Sequence, residues 1–91
     1  MTHRLHVILS GRVQGVGFRY TTSNQARSLG LAGWVRNLSD GRVEAVFEGD
    51  RANLEKMLAW CQQGTAMAQV RDVDTHWEEG KPQHTQFRVV H

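Results

Sequence analysis

A chain of 91 residues that is 40% apolar and 22% charged can bury about two-thirds of its unfolded surface in a single core, and it carries too many large apolar side chains to stay disordered. Eleven Lys and Arg against nine Asp and Glu leave a net charge of +2, too small for a basic nucleic-acid belt and suited to a small anionic ligand. The lone cysteine, Cys61, excludes an internal disulfide and a cysteine-rich zinc site, and makes a reducing compartment the simpler expectation.

The apolar stretch at residues 5–9 contains His6 and runs into Ser10-Gly11-Arg12 with no small-residue cleavage site, so it does not read as a signal peptide. Leu5, Val7 and Leu9 alternate with His6, Ile8 and Ser10, which predicts a first strand with one strongly apolar face. Nothing approaches the ~20 apolar residues of a membrane span; a cytoplasmic protein with no membrane partner is expected. Val13-Gln14-Gly15-Val16-Gly17 places two glycines in three positions and reads as a loop. Phe18, Thr22, Ala26 and Leu29 then recur at near-helical spacing, and Gly30 stands where a left-handed C-cap belongs, predicting a helix over residues 18–29.

Residues 33–38 read as a strand, Ser39-Asp40-Gly41 as a turn and residues 42–48 as a second strand, with Val43, Ala45 and Phe47 alternating against Arg42, Glu44 and Glu48. Asp-Gly between two such runs is a strong hairpin signal. Asp50 is placed to cap a second helix in which Leu54, Met57, Leu58 and Cys61 fall at i, i+3, i+4 and i+7, closing at Gly64. Residues 67–77 and 85–90 read as strands separated by Glu78-Glu79-Gly80-Lys81-Pro82, with Glu78 and Glu79 in a solvated turn. The first of these strands does not alternate cleanly and is predicted to carry a bulge.

The order strand, helix, strand, strand, helix, strand, with a short C-terminal strand added, predicts an α+β fold. It is the ferredoxin-like, split βαβ sandwich, an antiparallel sheet with two helices on one face, as one domain over residues 1–91. That architecture hosts enzymes, RNA-binding modules and regulatory domains, so function must be read from the site. The RNA-binding reading requires an aromatic motif on the sheet, whereas the third strand offers one aromatic, Phe47, beside Glu44 and Glu48.

A glycine-rich turn that opens a helix presents free backbone N–H groups and the positive end of the helix dipole, together a site for an anion. Gly15 and Gly17 permit the positive φ such a nest needs, and the planar fork of Arg19, just inside the helix, can hold two phosphate oxygens. The same residues also fit a tight connection followed by a solvated arginine. The loop matches neither G-x-x-x-x-G-K-[ST] nor G-x-G-x-x-G. His3, His6, His76, His84 and His91 are scattered with no helical i, i+4 pair, so neither a metal nor another cofactor is expected. Cys61 and the tryptophans Trp34, Trp60 and Trp77 read as core or its rim.

Val13-Gln14-Gly15-Val16-Gly17-Phe18-Arg19 resembles the signature loop of the acylphosphatase family, and Gly30-Leu31, Gly33-Trp34-Val35-Arg36-Asn37 and Asp40-Gly41-Arg42-Val43-Glu44 resemble its second block. The resemblance implies metal-independent, in-line hydrolysis of acyl phosphates to carboxylate and inorganic phosphate. It also implies that Arg19 and Asn37 are the catalytic pair, with the phosphate cradled by Gln14, Gly15, Val16, Gly17, Phe18 and Arg19. The expected partners are a small acyl phosphate and the phosphate product, with no nucleic acid, and the expected state is a monomer. Asn37 enters the Asp40-Gly41 turn, where an asparagine serves equally as a turn residue bonded to its own backbone. Acylphosphatase-like domains also occur inside larger proteins; a start at Met1 and an end soon after the last strand favour a free-standing enzyme. One departure is Gly64-Thr65 where family members often carry Gly-Pro.

Overall fold

Alternation of Leu5, Val7 and Leu9, each fully buried, builds an inner strand of the sheet. In the computed structural model, which describes residues 2–65 and 68–90, that strand is β1 (Thr2–Arg12). It is followed by α1 (Phe18–Ser28), β2 (Ala32–Asn37), β3 (Val43–Gly49), α2 (Arg51–Gln63), β4 (Gln69–Gly80) and β5 (Phe87–Val89). The strands form one five-stranded sheet in the order β4-β1-β3-β2-β5. α1 lies over β2 and β5, and α2 over β1, β4 and β3. This is the expected split βαβ sandwich. Its core unites Leu5, Val7, Leu9 and Val35 from the sheet with Phe18, Ala26, Leu54, Met57 and Cys61 from the helices. Burial of each large side chain contributes about 1.5–3 kcal/mol.

α1 ends at Ser28, one residue before the expected end, with Leu29 as its C-cap and Gly30 at φ 69°, the left-handed position the sequence anticipates. Asp50 is the N-cap of α2, but only its backbone acts: its carbonyl accepts from Leu54 N at 3.0 Å, while its side chain makes no capping bond. On the predicted stripe of α2, Leu54, Met57 and Cys61 are buried and Leu58 is half-buried.

Three differences lie after α2. The predicted start of the fourth strand at Met67 falls outside the described residues, and β4 begins at Gln69. Its far end does not stop at Trp77. Glu78, Glu79 and Gly80 pair with Arg4, His3 and Thr2 of β1, where the Arg4 guanidinium meets an acid across the ladder, Nη1 lying 3.1 Å from Glu78. β5 is shorter than expected and pairs in parallel with β2, making the otherwise antiparallel sheet mixed. The anticipated bulge is present, with a register shift opposite Ser10 and Gly11. Val70 and Val73, three residues apart, both pack against the core, which an unbroken two-residue alternation forbids. At the departure from Gly-Pro, the Thr65 hydroxyl accepts from Ala68 N at 3.0 Å, a bond proline cannot supply.

Candidate active site

Strand register brings the loop and Asn37 together. Leu9 of β1 faces Val43 of β3, and Val43 faces Asn37 of β2. The loop that follows β1 and the last residue of β2 therefore share one edge of the sandwich. Val13 and Phe18, each 1% exposed, anchor the two ends of the loop, and the Phe18 ring stacks on Trp60 with centroids 5.7 Å apart.

Between these anchors Gly15 and Gly17 adopt φ 76° and 71°, the left-handed region a nest of amides requires. Among the described residues the amides of residues 14–17 make no hydrogen bond; the first bond to close is Thr21 N to Gly17 O at 3.1 Å. α1 has no side-chain cap and no acid in its first turn, so its positive end is left for an anion. Arg19 is the second helical residue, with its guanidinium 5.9 Å from the centroid of the exposed Tyr20 ring.

These parts converge on a pocket of about 110 Å³ whose walls include Gly15, Gly17, Phe18, Arg19 and Asn37. Of the site residues expected from sequence, Gln14 and Val16 do not line it. Val16 packs against the core, and the Gln14 side chain turns to the β2–β3 hairpin, where Nε2 donates to Leu38 O and Arg42 O. That clasp and the position of Tyr20 on the pocket escaped sequence reasoning; the clasp spans 24 and 28 residues of chain and leaves no local signal. Asn37 Oδ1 is buried without a hydrogen-bond partner among the described residues. The turn is braced instead by Asp40, whose carboxylate accepts from Arg42 N at 3.1 Å and Arg42 Nε at 2.7 Å. A larger hollow of about 370 Å³ lies beside Trp34, His84 and Arg88, but no helix N-terminus opens there.

Cys61 is core: burial pushes its thiol up to about 12, far from a thiolate at neutral pH. His3, His6 and His76 sit on β1 and β4, with His6 Nε2 2.7 Å from Glu44. His91 lies outside the described residues. Among the described residues no group of three or more His, Cys, Asp or Glu is arranged to hold a metal, and no helix is long and apolar enough to cross a membrane.

The chain is thus a ferredoxin-like sandwich that gathers a helix N-terminus without a side-chain cap, an arginine and an asparagine on one small pocket. The acylphosphatase family model matches residues 5–89. An acylphosphatase of Roseiflexus sp. is 52% identical over 87 residues, 96% of this chain and 94% of that protein. One of Chloroflexus aurantiacus is 54% identical over 96% of this chain and 95% of its own length. The crystal structure of acylphosphatase from Bacillus subtilis superposes with a TM-score of 0.93 at 36% identity, covering 98% of this chain and 99% of that one. The chain belongs to the acylphosphatase family, hydrolases that act on acyl phosphates.

Proposed function

We propose that this chain hydrolyses the carboxyl–phosphate anhydride by direct, metal-independent attack of water, with Arg19 and the loop amides holding the phosphoryl group and Asn37 orienting the water. The observation that carries the proposal is the meeting of Gly15, Gly17, Arg19 and Asn37 on one pocket. The Asn37 Oδ1 atom, buried and unpaired among the described residues, accepts a hydrogen bond from the water and directs its lone pair at phosphorus. The bond from phosphorus to the bridging oxygen breaks on the opposite side, and the carboxylate leaves with the electron pair. The proton released by the attacking water passes to solvent.

This chemistry asks little of the protein. A carboxylate whose conjugate acid has a pKa near ~4 departs at neutral pH without a general acid. A loose phosphoryl-transfer transition state needs a nucleophile that is placed more than activated. The remaining demand is charge stabilisation on three non-bridging oxygens, met by preorganised amides and the Arg19 fork. The continuous core from β1 to β5 supports a single domain, and the proposal takes that domain as a cytoplasmic monomer. The test is hydrolysis of acetyl or benzoyl phosphate before and after exhaustive EDTA treatment. Activity should survive; loss restored only by a divalent cation contradicts the mechanism.

A further inference from the structure

The glycine loop and the β2–β3 hairpin are joined through a single nitrogen. Gln14 Nε2 donates one hydrogen bond to Leu38 O at 2.7 Å and another to Arg42 O at 2.8 Å. A side-chain amide has two N–H donors, and both are committed to the mouth of the hairpin. The two accepting carbonyls also hold the hairpin closed, since Leu38 N donates to Arg42 O at 2.8 Å and Gly41 N to Leu38 O at 3.3 Å. Leu38 follows Asn37 directly, and Arg42 precedes Val43, the cross-strand partner of Asn37. One residue of the phosphate loop therefore grips the backbone on both sides of the water-orienting side chain.

We infer that Gln14 is a positioning residue for hydrolysis: its side chain sets the distance and angle between the loop amides and Asn37, and so the alignment of water with the phosphorus atom. The inference rests on the assignment of water orientation to Asn37. In-line attack depends steeply on alignment, and a displacement of about 1 Å can reduce rate by about 10²-fold. Phosphate itself is held by Arg19 and the amides, all on the loop side of the clasp. Loosening the clasp moves the water relative to the phosphoryl group while leaving the phosphoryl group's own contacts in place.

Gln14→Met keeps the length of the side chain and removes its donors. It should lower kcat by roughly 10- to 100-fold while the competitive inhibition constant of inorganic phosphate changes less than about threefold. In an Asn37→Ala background, where no amide remains to be aligned, the same substitution should lower kcat by less than about threefold, a coupling that a double-mutant cycle measures. An unchanged kcat, an equal loss in both backgrounds, or a loss of phosphate affinity matching the loss in kcat overturns the role of Gln14 while leaving Asn37 in place. Full turnover by Asn37→Ala alone is a different result; it removes the water-orienting assignment and the Gln14 inference with it. If Gln14→Met fails to fold, Gln14→Asn, one methylene too short to reach both carbonyls, is read by the same criteria.

Discussion

At the start of β1 the Glu48 carboxylate, 3% exposed, has every need met. Arg4 Nε and Nη2 approach it at 2.8 and 2.7 Å, and the backbone amides of Gln83 and His84 donate to it at 3.0 and 2.8 Å. At the other end of the strand, on the order of 25 Å away at about 3.3 Å per residue, the balance is reversed. Among the described residues Asn37 Oδ1 is buried and unpaired, α1 has no side-chain cap, and the amides of residues 14–17 make no hydrogen bond. An unpaired buried acceptor costs about 1–3 kcal/mol. The Glu48 cluster is satisfied within the protein, whereas the polar groups around Asn37 are those the proposed mechanism hands to a ligand, so substitutions at the two sites should fail in different assays.

The largest effect is expected at Arg19. Removing one preorganised donor commonly lowers turnover by about 10²- to 10³-fold, and Arg19→Ala removes a charged fork. The loss in kcat/KM should be on the order of 10³-fold or more, phosphate inhibition should weaken in parallel, and Arg19→Lys should recover little because an ammonium cannot bind two oxygens bidentately. The melting temperature should hardly move. A large drop in stability with Arg19→Ala would erase the distinction between the two ends.

Glu48→Ala should do the reverse. Breaking a buried ion pair costs about 3 kcal/mol, read as a lower denaturation midpoint, with kcat of the folded fraction retained. The pH dependence has a definite sign. Burial alone would raise the Glu48 carboxyl, but the Arg4 hydrogen bond and the Gln83 and His84 amides outweigh it and hold the group below its ordinary 4.5. A carboxyl depressed in the folded state contributes stability that is present above 4.5 and is lost as pH falls through the folded value. Glu48→Gln should therefore flatten the fall in stability below that pH. Glu44, which burial would raise but His6 and Arg36 hold low, retains part of the slope.

The sequence makes the site end more legible than the stabilising end. The glycines, Arg19, the Asp40-Gly41 turn and the end of β2 at Asn37 are local signals, and each fell within a residue or two of its expected place. Glu48 reads as the polar side of an alternating strand; its burial follows from the amides of Gln83 and His84, 35 and 36 residues away. The extension of β4 through Glu78 and Glu79 has the same origin, since acids that resemble a solvated turn pair across the ladder with β1, where Arg4 meets Glu78. The parallel pairing of β5 with β2 and the clasp of Gln14 are likewise tertiary, with no periodicity to reveal them.

The smallest effect belongs to neither end. Cys61 is buried, with its thiol pushed up to about 12, so iodoacetamide at neutral pH should leave the folded protein unlabelled and fully active. Rapid labelling under native conditions, followed by mass spectrometry, would show that α2 opens more readily than its packing implies.

The most direct measurement of the central claim takes kcat and the phosphate inhibition constant of Asn37→Ala from the same preparation, with a thermal melt alongside. Asn37 is assigned to water and not to phosphate, so kcat should fall by on the order of 10²- to 10³-fold while the phosphate constant stays within about twofold. Because the substitution removes an unpaired buried acceptor, the melting temperature should hold or rise. Full turnover, or a loss of phosphate binding as severe as that of Arg19→Ala, would contradict the assignment and return Asn37 to the role of an ordinary turn residue.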